Sequence, residues 1–161
     1  MGRWGFGLAI GTISMPNVSV LRSGISCDRK ASMAAFKTAC YRVAQSLNVQ
    51  VGEFRSTDGL PNFYYAEIVV GQDAIAVLCN MAFPVIGFSS PFEIGLLPGQ
   101  YLLHFDLASA FVAEGFECPD ASLLEAPVSR DDLLALRPEE RKDVAYWRPH
   151  RIGDVIFNYF D

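Results

Sequence analysis

The stretch from 63 to 90, FYYAEIVVGQDAIAVLCNMAFPVIGFSS, constrains the fold more than any other part of the chain. Tyr64, Ala66, Ile68 and Val70 fall on one face of an extended backbone and Tyr65 and Glu67 on the other, the period-2 pattern of a strand. Gly71-Gln72-Asp73 is a tight connection. AIAVLC, 74–79, is apolar on both faces, as a strand in the middle of a sheet requires. After Asn80–Pro84, VIGFSS reads as a third strand. The connections are too short to hold a crossover helix, so the strands run antiparallel. Val49, Val51 and Phe54 add a short strand before the turn signals Asp58-Gly59 and Pro61-Asn62. YLLHF, 101–105, is a further candidate after the loop PFEIGLLPGQ. The sheet therefore has about four or five strands, a common size.

Such a sheet needs cover. In SCDRKASMAAFKTACYRVAQSLNVQ, Met33, Phe36, Cys40, Val43 and Leu47 recur at three- and four-residue steps, one apolar stripe on an amphipathic helix. Ser26 or Asp28 is placed to cap it. DLASAFVAEG predicts a short helix capped by Asp106 and ended by Gly115, and FECPDASLLEAPV predicts a loop. Ser129 and Asp132 form a capping signal, and Pro138 suits the first turn of a later helix, with Glu139 and Glu140 favourable to its dipole. The fold class is α+β: an antiparallel sheet packed by an N-terminal amphipathic helix, with a helical C-terminal third. One domain covers 1–161, with 1–15 a flexible leader or holding a first strand around Leu8–Ile13.

The chain closes on YWRPHRIGDVIFNYFD. Ile152, Val155, Ile156 and Tyr159 sit at helical spacing, while Val155, Phe157 and Tyr159 also permit a strand; the helix is preferred. Trp147, Ile156, Phe157 and Phe160 carry too much apolar area to stay wet, at ~1.5–3 kcal/mol for each large side chain buried. The tail is therefore expected to dock as part of the fold. Trp147, Pro149, Gly153, Phe157, Asn158 and Asp161 resemble a terminal pattern found in small bacterial proteins of the toxin–immunity type. The resemblance covers about a tenth of the chain, and it implies a single-domain, non-enzymatic, cytoplasmic protein that binds a partner.

Charge is unevenly distributed. Through Arg55 there are seven Lys/Arg and two acids, whereas Ser56–Ser129 holds nine acids and no Lys or Arg. That central segment cannot contribute to the basic stripe that nucleic-acid binding needs. It can instead attract a basic protein partner, such as a toxin domain. Glu114, Glu117, Asp120 and Glu125 cluster near its end and are the candidate partner-binding residues. The alternative is a solvated face that keeps the chain in solution. No apolar run approaches the ~20 residues that span a bilayer, so no membrane association is expected.

Catalytic chemistry has thinner support. A Cys–His–acid hydrolase would draw on His104 and Asp106 with Cys79 or Cys118, but neither cysteine lies in a nucleophile-elbow or glycine-rich oxyanion sequence. None of Cys27, Cys40, Cys79 and Cys118 has the paired spacing of a zinc site. No Walker or G-x-G-x-x-G turn is present. The expectation is a protein without metal or cofactor, binding through an acidic surface; a small Cys/His hydrolase and a structural or interaction subunit are the alternatives.

Overall fold

The computed structural model describes residues 20–25, 32–55, 59 and 61–160. The leader and strand expected before Met15, the cap candidates Ser26 and Asp28, and Cys27 and Asp161 lie outside the described residues.

Helix α1 (Met33–Leu47) starts where the Ser32 hydroxyl accepts the Ala35 N–H at 3.0 Å and stops at Asn48, which takes the left-handed conformation. It buries Phe36, Cys40 and Val43 of the predicted stripe together with Ala39 and Ala44, while Met33 and Leu47 at its ends are half-buried. Four strands follow: β1 (Gln50–Arg55), β2 (Phe63–Val70), β3 (Asp73–Asn80) and β4 (Ile86–Ser89). They lie in sequence order in one antiparallel sheet. The β2–β3 pairing is unbroken from Phe63↔Asn80 to Val70↔Asp73, and Gly71 takes a φ of +64° in the turn between them, a conformation that costs glycine little.

The sheet is covered on both faces. Ala66 and Ile68 of β2, Val77 and Cys79 of β3, and Ile86 and Phe88 of β4 pack under α1 and α2 (Phe105–Ala113). Phe63 and Tyr65 of β2, with Ala76 and Leu78 of β3, point the opposite way and meet the C-terminal third. That third comprises α3 (Ala121–Glu125), α4 (Arg130–Leu134), α5 (Pro138–Trp147) and α6 (Ile152–Ile156). The α+β class, the four-stranded sheet, its covering N-terminal helix and the helical last third all match the sequence pattern.

Three local expectations are corrected. YLLHF is not a strand: Tyr101 makes only an isolated bridge to Ser89, and Leu102 N–H donates to Phe88 C=O at 2.8 Å. The chain then turns into α2, whose cap is His104 rather than Asp106. The His104 ring nitrogen Nδ1 accepts the Leu107 N–H at 3.3 Å, and Asp106 falls in the first helical turn, where its charge suits the dipole. The segment expected to be loop after Phe116 contains α3, one short turn of helix that buries Leu124.

The tail forms α6 and then an extended segment, and every residue from Ile152 to Asn158 is buried. Phe157 meets Phe63 edge-on with ring centroids 6.1 Å apart. Two approaches require glycine. A Cβ on Gly87 would sit 2.6 Å from the Phe157 ring, and one on Gly153 would sit 2.8 Å from the Tyr101 hydroxyl and closer still to its ring carbons.

Buried polar groups fix the tail in register. Asn62 and Asn80 each donate from the side-chain amide to both Ile25 C=O and Ile156 C=O, at 2.8–3.1 Å. The Asn62 side-chain oxygen accepts Asn158 N–H at 2.7 Å, and the Asn80 side-chain oxygen accepts the N–H groups of Ala82 and Phe83. Beside this clasp, Asp154 is almost fully buried and holds Arg151 through two hydrogen bonds, Nε at 2.9 Å and an η nitrogen at 2.8 Å. Tyr101 donates its hydroxyl to the same carboxylate at 3.1 Å. Arg151 also donates to Pro98 C=O, Gly99 C=O and Glu125. A buried carboxylate is tolerated only when it is paired and hydrogen-bonded in this way.

Candidate functional site

The four acids singled out by sequence lie along the run from the end of α2 to the end of α3, and three of them are ion-paired. Glu114 meets Arg42 of α1 at 3.4 Å, Glu117 meets Arg22, and Glu125 meets Arg151 at 3.1 Å while accepting Tyr101 N–H at 2.6 Å. Asp120 stands exposed at the start of α3 and makes no side-chain cap bond. The basic first third and the acidic middle are thus stitched together within the molecule. Arg55 continues the pattern, bonding to Glu67 at 2.9 Å and to Phe92 C=O. The Arg42–Glu114 and Arg22–Glu117 pairs are the exposed ones, and exposed pairs are worth about 0–1 kcal/mol each, so they orient the segment more than they stabilise it. Glu117 and Asp120 remain the acids most open to solvent-borne partners.

The cysteine–histidine candidates are placed apart in role. Cys79 is fully buried in the sheet face under α1, and its thiol is pushed up by burial and by the neighbouring Cys40 and Cys118 thiols. Burial pushes Cys40 and Cys118 up to about 12. Among the described residues no hydrogen bond joins His104 to Cys79, Cys118 or Asp106, and its Nδ1 is occupied as a helix cap. A thiol held up in this way keeps only a trace of the nucleophilic thiolate at neutral pH.

Cys118 lies in the segment that the sequence marks as loop, where a thiol would be open to reagents. It is half-buried, packed against the α1-side core. All three described thiols are therefore expected to label slowly with iodoacetamide at pH 7.5 and fast once the chain is unfolded. Peptide mass spectrometry over a time course reads this out. Fast labelling of Cys79 in the folded chain would restore the hydrolase reading.

A second surface was not singled out by sequence. Trp147 at the end of α5, Pro149, Tyr159 and Phe160 of the tail, and Leu97 of the loop after β4 enclose a cleft of about 230 Å³. Trp147 lies nearly parallel to Phe160, with ring centroids 6.2 Å apart, and meets Tyr146 edge-on. The Tyr159 hydroxyl ties the loop in place, donating to Leu96 C=O at 2.9 Å and accepting Gly95 N–H at 3.2 Å. Around the cleft Tyr146 is 78% exposed, Leu96 59% and Leu97 54%. The aromatic density of the tail is the available signal, but the sequence does not separate its core residues from those that line a cleft. Among the described residues no helix is long and apolar enough to cross a membrane, and no group of three or more His, Cys, Asp or Glu is arranged to hold a metal ion. Comparison with family models, curated proteins and solved structures finds no match to this chain.

Proposed function

We propose that this chain is a binding protein that docks a protein partner and catalyses nothing itself, of the kind that neutralises a bacterial toxin in the cytoplasm. The observation that carries the reading is the solvent exposure of Tyr146, Trp147, Leu96 and Leu97 around one cleft, in a molecule that buries Phe63, Tyr101, Phe111 and Phe157 almost completely. Tyr and Trp are the residue types that most often dominate interface energetics. Clustered exposed apolar side chains beside a concavity mark interaction sites rather than ordinary surface. Glu117 and Asp120 add an acidic flank that steers a basic partner and raises its association rate.

The test is co-expression with the product of the neighbouring gene, in a host that this product harms when expressed alone. The expected result is rescue of growth and a complex that survives gel filtration. Trp147→Ala should weaken that complex by about 2 kcal/mol or more, roughly 30-fold in Kd. Glu117→Lys with Asp120→Lys should slow association and flatten its dependence on salt while leaving the melt unchanged. A neighbouring product that is harmless, or that fails to bind, overturns the reading.

A further inference from the structure

The cleft described above is too small for a typical cofactor or drug-sized ligand, whose pockets run to about 300–1,000 Å³. At about 230 Å³ it suits a single long side chain. Three of its walls are aromatic: Trp147, Tyr159 and Phe160. Its lining contains one ionisable acid, Asp154, and no base. Arg151 is committed to Asp154, Glu125 and the carbonyls of Pro98 and Gly99. Arg148 and His150 are exposed close by in the chain but do not line the cleft. The opposite wall belongs to the segment that has no Lys or Arg. Glu93, two residues before Gly95, is exposed and has no ion pair among the described residues, but like Arg148 and His150 it does not line the cleft.

We propose that this aromatic cleft receives one cationic side chain, arginine or lysine, from the protein partner. The inference rests on the binding reading above and names the anchor that reading requires. Aromatic faces attract a cation through their negative π surface, most strongly for tryptophan, and the interaction strengthens as the cation sheds water. Asp154 and Arg151 neutralise one another, so the lining carries no net charge and the three aromatic faces are what favour a cation over an apolar side chain. The acidic balance of the central segment brings a basic partner to the surface; the cleft then selects which of its side chains is gripped.

The experiment uses the full chain, labelled with nitrogen-15, and no partner. N-acetyl-arginine amide and N-acetyl-lysine amide are titrated in parallel with N-acetyl-leucine amide and N-acetyl-glutamate amide. The readout is the Trp147 indole N–H resonance, assigned by its loss in Trp147→Phe. The expected result is saturable movement with both cationic probes and affinity at least tenfold above the leucine and glutamate probes. Phe160→Leu, which keeps the cleft apolar but removes one π face, should cut the cationic affinity threefold or more and leave the leucine response unchanged.

Equal affinity for leucine amide, preference for glutamate amide, or no response to any probe overturns the proposal and leaves the partner reading standing. A cationic response together with failure of the co-expression test would retain the cleft chemistry and overturn the partner reading.

Discussion

A chain cut after Arg151 is expected to lose cooperative unfolding and accumulate as insoluble material. The cut removes Ile152, Val155, Ile156 and Phe157, all nearly or fully buried. At ~1.5–3 kcal/mol for each large side chain, these alone are worth about 6–12 kcal/mol, comparable with the whole ~5–15 kcal/mol stability of a typical domain. The polar loss adds to this. Asn62 and Asn80 each lose the Ile156 carbonyl, Tyr101 and Arg151 lose Asp154, and the Phe63–Tyr65 face of the sheet is opened to water. Circular dichroism against temperature checks the result. A truncated chain that melted with the sharpness and midpoint of the full one would show that the tail is an appendage.

The second large effect comes from one methyl group. Gly153→Ala should lower stability by about 3 kcal/mol and the melting temperature by roughly 6–12 °C, even though alanine is the better helix former by about 1 kcal/mol. The new Cβ would clash with two carbons at the hydroxyl end of the Tyr101 ring. That ring has nowhere to go: it is 2% exposed, its hydroxyl is bonded to Asp154, and the Arg151 guanidinium lies over its face at 4.9 Å. If the clash is the cause, Gly153→Ala made in a Tyr101→Ala background should cost far less than in the wild type, a coupling that thermal melts of the four proteins measure. Additive losses would place the requirement for glycine elsewhere, in the backbone of α6.

The parts of this fold legible in the sequence are those written in local periodicity. The β2–β3 hairpin follows from alternation around a glycine turn, α1 from its apolar stripe, and the capping box of α4 from Ser129 and Asp132, whose reciprocal bonds are formed. What escaped depended on distant contacts. Nothing near Tyr101 says that it will turn into the core beneath Asp154 instead of pairing as a strand. His104 outcompetes Asp106 as a cap by the local path of the chain, not by residue preference. In the tail, Phe157 is wholly buried while Trp147 is 47% exposed. The sequence marks both only as aromatic, so core and cleft could not be separated. The arginine partners of Glu114 and Glu117 lie 72 and 95 residues away, where no spacing rule reaches.

The asparagine clasp has a consequence for how the molecule comes into being on the ribosome. Its two amides wait on carbonyls from both flanks of the chain, Ile25 and Ile156. At translation rates of about 5–20 residues per second, the second of these leaves the peptidyl-transferase centre roughly 7–26 s after the first. The sheet strands and α1 can associate during that interval, but one face of the sheet, Phe63, Tyr65 and Leu78, has no cover until the late segment arrives. The nascent chain therefore passes through a sticky, half-roofed stage whose length is set by elongation speed. Slow codons placed after β4 would prolong that exposure, whereas the finished protein would be the same.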